Sequence, residues 1–181
     1  MDFLELVQKR ESCRSFDPAR PVEQDKLDRC LEAVRLAPSA CNSQPWKLVV
    51  VTDPELRKKI AEAADSKLLG FNHFVKQAQV LVVLVRETPN LTSKLGTLLK
   101  NKPYTLMDVG IAAEHFCLQA ASEGLGTCMV GWFAEEKVKR FLEIPGSKRA
   151  ELIIAVGYPL NNEPRQKNRK PVEKIRSYNK Y

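Results

Sequence analysis

The sequence predicts an α/β or α+β protein in which one sheet is covered by helices on both faces. Two valine-rich runs, at 46–51 and 79–85, have the length and composition of buried strands. Segments with helical apolar spacing precede, separate and follow these runs, and such alternation is typical of a helix-covered sheet. The length of 181 residues predicts one domain, 1–181.

Three helices are predicted in the N-terminal third of the chain. The first carries Phe3 on its apolar face, and the second follows apolar residues three and four apart until Pro38 stops it. Asp53 and Pro54 provide an N-cap and a first-turn proline for the third helix.

The C-terminal half is predicted to alternate helix and strand. The helix at 104–122 is apolar nearly all round and ends at Gly124, so it lies either in a core or between subunits. Strands are expected at 127–130 and 152–156, with an amphipathic helix between them. Residues 86–103 contain two prolines and a glycine without a clear period, which predicts a loop with at most one helical turn.

Composition argues against several classes of protein. The sequence has no apolar run of about 18 residues and no secretory signal, so no membrane association is expected. Five scattered cysteines and two distant histidines predict reduced thiols in a cytoplasm, and argue against a disulfide framework or a metal site. The net charge of +7 is concentrated in a basic C-terminal arm, 161–181, which has seven basic and two acidic side chains. A solvated arm is favoured over nucleic-acid binding, because no nucleic-acid-binding signature accompanies it.

Three polar side chains alternate near the N-terminus: Arg10, Ser12 and Arg14. An extended backbone points all three the same way, and two guanidiniums with a hydroxyl suit an anionic ligand such as a phosphate. On these residues alone, an exposed basic loop without a ligand has equal weight.

A second polar segment, 38–46, holds Asn42 and Gln44 between Pro38 and Pro45. Amides both donate and accept, which suits the edge of a heteroaromatic ring. An ordinary helix-to-strand turn uses the same residue types and is favoured by composition alone. The glycines at 124–126 precede a predicted strand instead of following one, so they do not form a dinucleotide-binding fingerprint.

Taken in order, these segments resemble the nitroreductase family of flavin enzymes. The resemblance is carried by Arg10-x-Ser12-x-Arg14-x-Phe16, Pro38-Ser39-Ala40-x-Asn42-x-Gln44-Pro45-Trp46, Asp108-x-Gly110, Gly124-Leu125-Gly126, Val130-Gly131, Gly157-Tyr158-Pro159 and Lys167-x-Arg169-Lys170-Pro171. It implies an α+β three-layer sandwich with a central mixed sheet flanked by helices. It also implies a homodimer with one FMN in each of two sites at the subunit interface.

The resemblance assigns roles to individual residues. Arg10 and Ser12 would bind the phosphate and ribityl chain, and Arg14 would face the pyrimidine edge of the ring. Ser39 and Asn42 would come from the partner subunit. The full set of implied cofactor-binding residues is Arg10, Ser12, Arg14, Pro38, Ser39, Ala40, Asn42, Gln44, Asn72, Val130, Gly131, Lys167 and Arg169.

Within this set, Lys167 and Arg169 would add positive charge at the phosphate, Asn72 would hydrogen-bond the pyrimidine, and the backbone of 130–131 would approach the flavin N5. In many members a lysine follows the asparagine by three residues; that place is Val75 here, with Lys76 next to it.

The implied activity is that of an FMN-dependent oxidoreductase. NAD(P)H would deliver a hydride to the flavin N5, and a small-molecule acceptor such as a nitroaromatic or a quinone would then occupy the same cleft. No side chain is expected to act as a catalytic acid, because water can supply the protons. Two alternatives stay open: a flavin-dependent dehalogenase or flavin-fragmenting relative with a polar lid at 86–103, and a non-catalytic binder of flavin or nucleic acid. The sequence specifies neither the acceptor nor a preference between NADH and NADPH.

Overall fold

A four-stranded antiparallel sheet lies at the centre of the computed structural model, which describes residues 2–66, 70–161 and 165–181 and, within them, all side chains but those of residues 97 and 98. Its strands are β1 (Trp46–Val51), β2 (Val80–Arg86), β3 (Gly126–Val130) and β4 (Arg149–Gly157), in the spatial order β1–β2–β4–β3. Residues 162–164 of the predicted arm lie outside the described residues.

The strand directions correct the mixed sheet that the resemblance implied. All three neighbouring strand pairs are antiparallel, with Val49 opposite Val83 and Val83 opposite Ile153. A parallel contact exists only as an isolated bridge between Ser12 and Thr127 in the described ranges. Buried parallel and buried antiparallel strands can share the same valine-rich composition, so the sequence pattern does not reveal strand direction.

The helices cover both faces of the sheet. They are α1 (Phe3–Lys9), α2 (Gln24–Arg35), α3 (Pro54–Ala64), α4 (Leu91–Lys100), α5 (Tyr104–Ser122) and α6 (Glu135–Phe141). Alternate residues of β2 point to opposite cores: Leu81 packs with α3 and α6, whereas Val82 packs with α2 and α5. This arrangement confirms the three-layer α+β prediction, and in the described residues no helix is both long and apolar enough to cross a membrane.

The segment predicted as a loop contains α4. Asn90 begins this helix, since its Oδ1 accepts a hydrogen bond from the Ser93 N–H at 2.9 Å. Leu91, Leu95 and Leu99 follow one face of α4 but are 81%, 55% and 73% exposed. The helical period was therefore present, but Gly96 and the flanking prolines concealed it.

The segment that carries Arg10 to Arg14 lies directly against β3. The Cys13 N–H donates to the Thr127 carbonyl at 2.8 Å. A Cβ placed on the neighbouring Gly126 would come within 2.8 Å of both Cβ and Sγ of Cys13. Gly126 is thus required by the close approach of two backbones, not by its own dihedral angles.

Gly126→Ala is therefore expected to destabilise the protein by about 1–3 kcal/mol, because the added methyl overpacks the contact with Cys13. Chemical denaturation measures the effect. Gly146→Ala is the control, since its added Cβ meets nothing within 4 Å. Equal stability of the two variants would contradict this explanation.

Candidate functional site

The two ends of the chain meet in one cleft of about 340 Å³. Segments 10–14 and 165–169 face each other across it, and its lining residues are Arg10, Glu11, Ser12, Arg14, Arg165, Gln166, Lys167, Asn168 and Arg169. We call it the cationic cleft. Five of the residues predicted to bind a cofactor, Arg10, Ser12, Arg14, Lys167 and Arg169, lie here together although about 150 residues separate the two segments.

Lys167 fixes the C-terminal segment to the end of α1. Its Nζ donates to the carbonyls of Val7 at 2.7 Å and of Arg10 at 2.6 Å. Carbonyls in the last turn of a helix lack intrahelical partners and favour a cation. Burial, followed by the nearby charges of Arg10 and Arg169, lowers the pKa of Lys167. Electrostatic repulsion in the cleft would be relieved by an anion.

Arg165 adds a second attachment that the sequence reasoning did not assign. Its guanidinium donates to the Ser12 carbonyl at 2.7 Å, and its backbone N–H donates to the Glu11 carboxylate at 3.0 Å. The regular alternation of Arg165, Lys167 and Arg169 was a usable signal, because alternate residues of an extended segment share one side.

Two guanidiniums in the cationic cleft remain available for a ligand. Arg10 Nε lies 3.0 Å from a carboxylate oxygen of Glu114 on α5, so its charge is partly compensated. Within the described ranges, Arg14 and Arg169 have no acidic partner, and Arg169 donates only to the carbonyl of the adjacent Asn168. Uncompensated, planar N–H donors at this place suit an anion with several oxygens.

Asn72 and the end of β3 form a second group of predicted residues. Asn72 adopts a left-handed backbone with φ of 69°, and its Nδ2 donates to the carbonyls of Trp132 at 3.1 Å and Ala64 at 3.3 Å. Asn72 therefore lies beside the segment that contains Val130 and the exposed Gly131.

The lysine that many family members have three residues after the asparagine has no free equivalent beside Asn72 in the described structure. Val75 is fully buried in the core, and Lys76 is paired with the Asp65 carboxylate. His73 contacts the same carboxylate, with its Nδ1 2.5 Å from Asp65 Oδ1. The hydrogen bond from Lys76 and the charge of His73 lower the pKa of Asp65.

Segment 38–46 forms a turn that packs on α4 and α5, away from the cationic cleft within one chain. The Ser39 Oγ accepts from the Gln44 N–H at 2.8 Å, and Gln44 Nε2 donates to Asn42 Oδ1 at 2.9 Å. Ala40 N–H donates to Asp108 on α5, and Pro38 precedes the turn in an exposed position. None of the turn residues lines the cationic cleft of its own chain.

Helix α5 has apolar side chains that are buried in the chain and apolar side chains that are exposed. Val109, Ala112 and Phe116 are buried against the sheet. Leu106, Met107 and Ile111 are exposed on the other side. An exposed apolar strip on the longest described helix is typical of an interaction surface.

All five cysteines are free thiols in the structure. Cys41 is exposed, whereas Cys13, Cys30, Cys117 and Cys128 are buried. Burial raises the pKa of Cys30 and of Cys117 to about 12, so both are thiols at neutral pH. No group of three or more potential ligands in the described residues could hold a metal ion.

Comparisons with known proteins agree with the fold and the residue pattern. The family model described as "Nitroreductase family" matches residues 7–72 and 64–158. An oxygen-insensitive NADPH nitroreductase of Helicobacter pylori is 29% identical over 92% of this chain and 91% of its own length. A nitroreductase family protein from Clostridium novyi NT is 31% identical with a TM-score of 0.75, over 88% of this chain and 86% of that one.

A further solved structure, the FMN-dependent nitroreductase of Clostridium difficile R20291, is 25% identical with a TM-score of 0.77 and covers 99% of this chain and 100% of its own. These matches span nearly the whole chain and include the first polar segment, the turn and the end of β3. The chain belongs to the nitroreductase family.

Proposed function

We propose that the protein is an FMN-dependent NAD(P)H oxidoreductase that works as a homodimer, with one FMN in each of two sites at the subunit interface. The observation that carries the proposal is the cationic cleft, in which Arg14 and Arg169 lack acidic partners in the described residues. An FMN-dependent relative of the same fold covers the whole chain and supports the choice of cofactor.

The residues of the cleft fit a mononucleotide. A phosphate monoester is close to a dianion at neutral pH and has three acceptor oxygens. This negative charge would be neutralised by Arg169, Arg10 and the remaining N–H donor of Lys167. The Ser12 hydroxyl would bind the phosphate or the ribityl chain. Arg14, further along the segment that pairs with β3, would lie near the pyrimidine edge.

The dimer would complete the site. The strip of Leu106, Met107 and Ile111 lies on α5, and the 38–46 turn is bonded to the same helix through Asp108. A partner that packs on this strip would bring its own turn close to the cleft of the first subunit. We therefore propose that Ser39 and Asn42 bind the FMN of the partner, with Pro38, Ala40 and Gln44 shaping the turn.

The protein itself would contribute to the reaction by positioning the flavin and its substrates and by stabilising charge on the ring. When bound, the flavin would supply the redox chemistry, with NAD(P)H as the hydride donor and a small molecule such as a nitroaromatic or a quinone as the electron acceptor. Arg14 would stabilise the negative charge that builds at the pyrimidine edge. Asn72 would orient the ring, and the exposed Gly131 would leave room for the backbone of β3 to approach it.

The composition of the exposed face of α4 helps to distinguish a reductase from a dehalogenase. A dehalogenase was expected to place specific polar groups in segment 86–103, whereas the face formed by Leu91, Leu95 and Leu99 is apolar. Because Asn90 at the start of α4 is bonded to the 38–46 turn, this apolar face would lie near the cofactor in the proposed dimer. There it would suit aromatic or quinonoid acceptors and favour reductase activity over dehalogenation.

The visible spectrum of the purified protein tests the proposal. We expect a yellow dimer whose flavin absorption bleaches with NADPH or NADH under anaerobic conditions and returns on addition of a quinone. A colourless protein that stays so after incubation with FMN would contradict the proposal. Salt-sensitive DNA binding without turnover would instead support the non-catalytic alternative.

Arg169→Ala should weaken FMN binding about ten- to a hundredfold, because a charge-assisted hydrogen bond is worth roughly 1.5–3 kcal/mol. Fluorescence quenching of FMN measures the dissociation constant. The control is Arg35→Ala, which removes a guanidinium paired only with Glu32 on the same helix in the described residues. An unchanged constant for Arg169→Ala would refute its role at the phosphate.

Arg14→Ala should make the bound flavin harder to reduce, since a cation near the pyrimidine edge favours the reduced, negatively charged ring. A loss of about 1–3 kcal/mol corresponds to roughly 20–60 mV for a two-electron couple, towards more negative potential. Equilibrium redox titration measures the shift. Arg14→Lys, which keeps the charge, should lie closer to the unsubstituted protein; identical potentials in all three proteins would contradict the assignment.

A further inference from the structure

The turn at residues 39–44 has a backbone that needs outside support. Cys41, Asn42 and Gln44 all have positive φ, at 52°, 49° and 47°. Glycine adopts such angles freely and asparagine tolerates them, but cysteine and glutamine disfavour them. Three such residues within four positions will persist only where neighbouring groups hold them.

Asn90, at the start of α4, supports the turn through hydrogen bonds. Its Nδ2 donates to the Cys41 carbonyl at 3.0 Å, and its backbone N–H donates to Ser43 Oγ at 2.8 Å. The same side chain caps α4 through its Oδ1, which accepts from Ser93 N–H. Asn90 thus uses the two ends of one amide for two purposes: the oxygen begins the helix, and the nitrogen holds the turn.

Asp108 provides the second hold from α5. Its carboxylate is 3% exposed, and Oδ1 accepts from the Ala40 N–H at 3.0 Å. The other oxygen, Oδ2, is buried without a hydrogen-bond partner among the described residues. A buried carboxylate is costly to place in a folded chain, and its hydrogen bond to the Ala40 N–H is the contact that explains Asp108 at this position.

We infer that Asn90 and Asp108 are positioning residues of the flavin site, which hold the 39–44 turn in the left-handed conformation that presents Ser39 and Asn42 to FMN. The inference rests on the proposed function. A ligand that requires one conformation binds in proportion to the population of that conformation. A weaker hold on the turn therefore lowers FMN affinity without unfolding the protein.

The link through Asn90 also joins two parts of the site that the sequence keeps apart. The cap of α4 and the support of the turn share one side chain, so the apolar face of α4 and the turn adopt their positions together. A displacement of α4 at its N-terminus would release the Cys41 carbonyl.

Asn90→Asp separates the two roles of the side chain. A carboxylate caps a helix as well as an amide does and suits its N-terminus, but it has no N–H to donate to Cys41. We expect FMN to bind about tenfold more weakly, with an unchanged unfolding midpoint of the FMN-free protein and an altered visible circular dichroism of the bound flavin.

Asn101→Asp is the matched control, because it makes the same chemical change at the other end of α4. Asn101 is exposed there and, among the described residues, has no hydrogen bond to the turn. Its FMN dissociation constant and flavin spectrum should equal those of the unsubstituted protein. Equal FMN affinity in Asn90→Asp and Asn101→Asp would overturn the inference for Asn90.

Asp108 is tested by a pair of variants. Asp108→Ala removes the acceptor for Ala40 and should weaken FMN binding, whereas Asp108→Asn keeps an oxygen at that place and should restore the affinity to within about twofold. Equal losses in the two variants would overturn the positioning role. If Asn90→Asp fails to fold, this pair decides the inference.

The proposed function and this inference fail in distinguishable ways. If the unsubstituted protein does not bind FMN, both are wrong. If it binds FMN and the Asn90→Asp variant binds equally well, the flavin site stands and only the role of Asn90 is refuted.

Discussion

The arrangement of the site depends on the ammonium of Lys167, which bridges the carbonyls of Val7 and Arg10 at the end of α1. This pair of hydrogen bonds brings residues from the far end of the chain against the first polar segment. The bonds of Arg165 to Glu11 and Ser12 hold the same segment, and together these contacts form the second side of the cationic cleft. The charge that results is high, and only part of it is compensated by Glu11 and Glu114.

The three-layer fold also positions the first polar segment relative to the other residues of the candidate site. The bond from Cys13 N–H to the Thr127 carbonyl places the first polar segment along β3, whose far end leads to Gly131 and Asn72. Helix α5 contacts both parts of the candidate site: its Glu114 pairs with Arg10, and its Asp108 accepts a hydrogen bond from the turn at 39–44. Helix α5 thus connects the phosphate end of the proposed site with the turn that we propose to serve a partner subunit.

The sequence predicted the elements whose own composition decides their structure. Strand β1 and helix α5 begin and end where the apolar patterns predicted. The side chains of Trp46, Leu48 and Val50 on β1 pack in the same core as the buried face of α5. The sequence pattern missed α4, because Gly96 and two prolines obscure a period whose leucines are not buried in the chain. The sequence pattern also could not predict the strand directions, since buried antiparallel and buried parallel strands can have the same composition. It assigned no role to Asn90 or Arg165, and it marked Asp108 only as part of a motif. The reason is common to all three: each acts through hydrogen bonds to backbone groups 49, 153 or 68 positions away, respectively.

In the proposed site, cations from both ends of the chain bind the phosphate of a flavin mononucleotide. The decisive measurement compares the dissociation constants of FMN and riboflavin, because the two ligands differ only in that phosphate. We expect FMN to bind at least about a hundredfold more tightly at low salt, and the preference to shrink as ionic strength rises. Equal affinity for the two flavins at every salt concentration would contradict this proposal.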